Sequence, residues 1–128
     1  MKDIEGLQDI MLFVNEFYTS VQKDEELSPI FYEHIAGDWQ PHMERMYLFW
    51  NAALFGHKGY IGNPFAKHAR MSIDANHFKR WLFWFDKIID AHFIGPVSEE
   101  AKRRAQIMAN TFQRRLSEAG HVGAKTLV

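Results

Sequence analysis

The chain contains no cysteine. That absence excludes disulfides, thiolate-bound zinc, iron–sulfur clusters and cysteine nucleophiles. No apolar run reaches membrane-spanning length, because charges interrupt every one, so no membrane is expected as a partner. The amino terminus does not resemble a signal peptide, since Lys2 is followed by Asp3, Glu5 and Asp9. Nor does one charge dominate. The 15 Lys and Arg residues stand against 16 Asp and Glu, a net charge of -1, so the basic excess of a nucleic-acid-binding protein is missing and no nucleic acid is expected as a partner. The cytoplasm is the default location.

Aromatic residues are what the chain has in quantity. It carries 11 Phe, 4 Trp and 4 Tyr, more flat rings than an ordinary core requires, whereas a buried planar cofactor would account for them. At 128 residues the chain suits one domain with a core of its own.

The apolar pattern is helical throughout. Leu7, Ile10, Met11, Val14, Phe17, Tyr18 and Val21 keep three-and-four spacing and mark a first long helix. Lys23-Asp24-Glu25-Glu26 breaks its apolar face, and Ser28-Pro29 opens a short helical turn carrying Phe31. Gly37-Asp38 supplies a stop and a new cap before a helix with Trp39, His42, Met46, Phe49, Trp50 and Ala53 on one stripe. Gly56, Gly59 and Gly62 loosen the chain, and Asn63-Pro64 then suit the cap and first position of a short helix that ends near Met71-Ser72. Asp74 caps a further long helix with Phe78, Trp81, Leu82, Phe85 and Ile88-Ile89 inward. After Gly95-Pro96, Ser98 caps the last helix, Glu99-Glu100 complement its dipole, and Ala101, Ala105, Met108, Ala109, Phe112 and Leu116 face inward. The expected fold is all-α: a domain over residues 1–118, followed by a flexible tail over 119–128.

Two histidines carry the chemistry. His68 falls about one turn into the short helix, opposite a wall of large apolar side chains, where a single imidazole could ligate haem iron. His42 lies on the apolar stripe of the preceding helix, near its start and therefore near solvent. Without cysteine, any haem would be held non-covalently. A partly exposed helix-end histidine and a hydrogen-bonded core-edge histidine are the plainer readings of the two. Zinc is the rival metal, but no His-Glu-x-x-His motif surrounds either residue. His34, His57, His92 and His121 are expected at the surface.

An ordered set of motifs points further. Phe17-Tyr18, Ser28-Pro29-Ile30-Phe31, Trp39-x-x-His42 with Phe49-Trp50, Tyr60-x-Gly62-x-Pro64-x-x-x-His68 and His77-Phe78-x-x-Trp81-Leu82-x-x-Phe85 follow one another along the chain. This resembles the third group of truncated haemoglobins over roughly residues 7 to 118. The resemblance implies a two-on-two helical sandwich around haem b. It implies that His68 is the proximal, metal-ligating residue and that Phe31 packs on the haem. Tyr18, His42, Met46 and Trp81 would form the distal pocket, and Trp50, Phe65, Ile73, Phe78 and Phe85 would line the porphyrin. Met71-Ser72-Ile73 departs from the proline-rich bend of that group, which affects the register of Ile73. Arg45, Arg70 and His77 are candidates to meet the haem propionates, and His77 could instead cap its own helix.

The expected function is reversible binding of oxygen, nitric oxide or other small diatomic ligands. Oxygen on ferrous iron carries partial negative charge, and Tyr and Trp can each bury a ring while offering one donor. Two alternatives use the same sequence: redox work such as nitric-oxide dioxygenation or peroxide chemistry, with a reductase as partner, and a helical interaction module without haem.

Overall fold

The computed structural model describes residues 1–34, 38–57 and 74–127. Five helices and no strand are found among them: α1 (Leu7–Lys23), α2 (Ser28–His34), α3 (Gln40–Phe55), α4 (Ala75–His92) and α5 (Pro96–Leu127). The all-α expectation therefore holds. The short helix expected around His68 lies outside the described residues.

Helix α1 runs through the middle, packing on α2, α3 and α4, while α4 also packs along α5. Its inward residues Ile10, Phe13, Val14, Phe17, Tyr18 and Val21 are all buried, as three-and-four spacing requires of a helix with neighbours on several sides. Phe13 is the centre of the core at 0% exposure. It meets Trp50 and Phe85 edge-on at 5.8 Å, and Phe93 at 6.5 Å. Phe85 in turn stacks on Trp50 at 5.0 Å and on Trp81 at 5.8 Å. Edge-to-face contacts set the positive ring edge against the negative face, so the three-helix junction is held by geometry as well as by area.

The caps explain where the helices start and stop. Asp74 accepts the His77 amide at 3.1 Å, and the His77 ring accepts the Asp74 amide at 3.1 Å, closing a capping box. Asp38 accepts the Gln40 amide at 3.0 Å, and Gly56 ends α3 in the left-handed region at φ 70.

One expectation changes at the last helix. Ser98 does not cap it: Ser98 is buried one turn inside and returns its hydroxyl to the Gly95 carbonyl at 2.8 Å. The cap is Asp3, which accepts the amides of Val97 and Ser98 at 2.8 Å. A carboxylate from the other end of the chain thus supplies what local sequence could not show. The helix runs from Pro96 to Leu127.

Candidate functional site

Helices α1 to α5 line a largely apolar cavity between their side chains. From α1 come Val14, Phe17 and Tyr18; the α1–α2 corner and α2 add Leu27, Ile30 and Phe31. Helix α3 contributes Met46, Phe49 and Trp50, and α4 contributes His77, Phe78, Trp81 and Phe85. Met108, Ala109 and Phe112 close the side formed by α5. The apolar, ring-rich lining with a few polar groups is that of a ligand site.

Eight of the residues singled out from sequence are brought together here: Tyr18, Phe31, Met46, Trp50, His77, Phe78, Trp81 and Phe85. His42 and Arg45 stand outside the described lining. His42 is 8% exposed, buried rather than near solvent, and lies behind Tyr18, whose ring it meets edge-on at 4.9 Å. Trp39 flanks it at 6.2 Å. Arg45 is half-buried, with an Nε that has no hydrogen-bond partner among the described residues. Phe65, His68, Arg70 and Ile73 lie outside the described residues.

The polar groups of the cavity are few and distinct. Tyr18 is 5% exposed, and burial pushes its phenol far above the usual value, so the hydroxyl stays protonated and able to donate. Trp81 is half-buried, held edge-on by Phe17 at 5.4 Å and stacked on Phe85 at 5.8 Å. Neither the Tyr18 hydroxyl nor the Trp81 indole N–H has a hydrogen-bond partner among the described residues. His77 both caps α4 and lines the cavity. Its Nδ1 accepts the Asp74 amide, so in the neutral ring the proton sits on Nε2, leaving a donor at the rim.

Sequence reading missed the α5 wall as a site element, although Met108, Ala109 and Phe112 were legible as an inward stripe. It also missed Leu27 and Ile30, which reach the cavity because the chain turns sharply at Asp24. In the sequence that carboxylate belongs to the Lys23-Asp24-Glu25-Glu26 run that breaks the apolar face of the first helix. In the fold it is 4% exposed and accepts from Arg80 and Trp84 of α4.

Comparison with known proteins agrees with this geometry. The family model described as bacterial-like globin matches residues 2–116. The chain is 29% identical over 117 residues to the group 3 truncated hemoglobin ctb of Campylobacter jejuni, covering 88% of this chain and 92% of that protein. It is also similar to the crystal structure of the group III truncated hemoglobin from Campylobacter jejuni, with a TM-score of 0.83 and 30% identity, covering 91% of this chain and 95% of that one. An all-helical frame that closes a ring-walled cavity, matched by family over nearly its whole length, identifies the chain as a haem-binding member of the bacterial-like globins, in the truncated haemoglobin branch.

Proposed function

We propose that the chain reversibly binds oxygen and related diatomic ligands at a non-covalently held haem b ligated by His68. One observation carries the choice of ligand. Tyr18 and Trp81 both line an otherwise apolar cavity and keep their hydroxyl and indole N–H without a hydrogen-bond partner among the described residues. Polar groups in such a place are normally paired, so two vacant donors fit a guest that carries partial negative charge.

The residues present fit a flat apolar group. Phe31, Trp50, Phe78 and Phe85 give it ring walls, and the absence of cysteine leaves only non-covalent attachment. A bound haem would supply a ferrous iron that a protein imidazole could ligate and that could bind a diatomic ligand. Tyr18 and Trp81 would donate to that ligand, and the surrounding rings would exclude water. The His77 Nε2–H and the Arg45 guanidinium would be the groups available to the haem carboxylates, and Arg70, outside the described residues, is a third candidate from sequence.

A visible spectrum of the purified protein tests the cofactor, since haem gives an intense Soret band. Replacing His68 with Ala should abolish stable haem uptake or leave it dependent on added imidazole; normal retention with an unchanged ferrous spectrum would reject His68. Trp81→Phe tests the donor. Losing a hydrogen bond to a partly charged acceptor costs about 1.5–3 kcal/mol, so oxygen release should quicken roughly ten- to a hundredfold. Carbon monoxide accumulates less charge, and its release should change much less. Equal shifts for the two gases would reduce Trp81 to a packing role.

A further inference from the structure

Asp24 occupies an unusual position. It ends α1, where its amide bonds to the Val21 carbonyl at 3.2 Å. It also begins the turn into α2, where its Oδ1 accepts the amides of Glu26 and Leu27 at 2.9 Å. The same carboxylate grips α4. Arg80 Nε donates to Oδ1 at 3.0 Å, Arg80 Nη2 donates to Oδ2 at 2.7 Å, and Trp84 Nε1 donates to Oδ2 at 2.8 Å. Asn76 adds a bond to Glu26 at 2.6 Å beside it. The Asp24 side chain is 1% exposed, whereas that of Arg80 is 40% exposed.

A buried ion pair is a poor device for stability alone, because desolvation offsets most of the attraction and apolar replacements often serve as well. Its better-attested use is to fix a register. Here the register is that of α4. Arg80 and Trp84 lie four residues apart on one face of α4, about 100° and 60° round the helix from Trp81, on the same side. Gripping both prevents α4 from rolling, and a roll would swing the Trp81 indole. The other end of the grip is the α1–α2 corner, which brings Leu27, Ile30 and Phe31 to the opposite wall.

We propose that Asp24 is a positioning residue for the ligand side of the cavity: by holding Arg80 and Trp84 it fixes the rotation of α4 at which Trp81 presents its indole N–H to the bound ligand. This rests on the diatomic-ligand reading above and extends it to a residue that does not line the cavity.

Asp24→Asn in the full chain is the test, because it keeps an acceptor oxygen and removes the charge that Arg80 grips. Haem should be retained, and oxygen release should quicken about tenfold with carbon monoxide release little altered, the scale at which supporting residues act on a polar site. In a double-mutant cycle with Trp81→Phe, the two changes should not add, because both act through one donor. Additive acceleration would overturn the proposal. The second readout is the indole N–H spectrum of 15N-tryptophan-labelled protein, reduced and under carbon monoxide, with Trp81→Phe used for assignment. Asp24→Asn should move the Trp81 resonance as well as that of Trp84; a displaced Trp84 signal with an unmoved Trp81 signal would overturn the proposal. A wild-type chain without a Soret band would defeat the haem reading instead, while the indole spectrum would still decide whether Asp24 positions Trp81. Should Asp24→Asn fail to fold, Trp84→Phe keeps the ion pair, and an unmoved Trp81 resonance in that variant would count equally against the proposal.

Discussion

Individual side chains decide what the cavity can bind and how its frame is closed. Tyr18 and Trp81 give polarity to a space otherwise made of rings, and each does so with one donor. Closure of the frame depends on a glycine far from the cavity. Gly95 has φ +140, and a Cβ there would come within 2.5 Å of the Asp3 carboxylate. That carboxylate caps α5, and the Lys2 carbonyl accepts the neighbouring Ile94 amide at 2.9 Å. Gly95→Ala therefore both strains the backbone and pushes out the cap. We expect a loss of about 1–3 kcal/mol from the backbone alone, measurable by urea unfolding, with more if Asp3 is displaced. A loss no larger than the backbone cost would mean that Asp3 does not cap α5 in solution, and an unchanged midpoint would mean that Gly95 does not hold this backbone conformation there. Sequence showed Gly95-Pro96 as a break, but a cap delivered from Asp3 has no local signature.

At the scale of elements, helix faces were legible because burial follows the three-and-four stripe. Asp74 was legible as a cap because its partner His77 is three residues away. The contacts between helices were not. Along the α4–α5 seam, Asp86 is half-buried with an Oδ1 that lacks a hydrogen-bond partner among the described residues, while Lys102 binds Asp90 at 2.7 Å and Glu99 at 3.1 Å instead. Burial raises the Asp86 pKa, against the pull of Lys102 and with help from Asp90 and Glu99. An acid whose folded pKa is raised destabilises the fold once it ionises, so the cost grows as pH rises from the unfolded value towards the folded one and is complete above it. Asp86→Asn should then stabilise the protein by about 1 kcal/mol at neutral pH, and the gain should vanish below the unfolded carboxylate value. Thermal unfolding of both proteins at pH 7 and at acid pH checks this; a gain independent of pH would point to packing rather than charge.

The whole molecule is held together by groups distant in sequence, which is why sequence yielded the walls of the site more readily than its supports. Flat rings on helical stripes announce an aromatic cavity, and the ordered motifs announce the family. Nothing in Lys23-Asp24-Glu25-Glu26 announces that one of its carboxylates is buried against Arg80 and Trp84, 56 and 60 residues away. Burial by itself would raise the Asp24 pKa, yet the bonds from Arg80, then Trp84, then the amides of Leu27 and Glu26 outweigh it and hold the group well below the usual carboxylate range. A depressed folded value stabilises the protein above the unfolded pKa of about 3.9, and that contribution is lost as pH falls through this value towards the folded one. The wild-type protein should therefore lose stability steeply below about pH 4. Asp24→Asn should be less stable than wild type at pH 7, with the gap narrowing as the pH is lowered, because the variant has no charge there to lose. Asp86 acts in the opposite sense and above the unfolded carboxylate value rather than below it, so Asp24→Asn in an Asp86→Asn background leaves only the acid-side effect of Asp24. Parallel pH profiles for wild type and Asp24→Asn would show that Asp24 does not hold the α1–α2 corner to α4 through its charge.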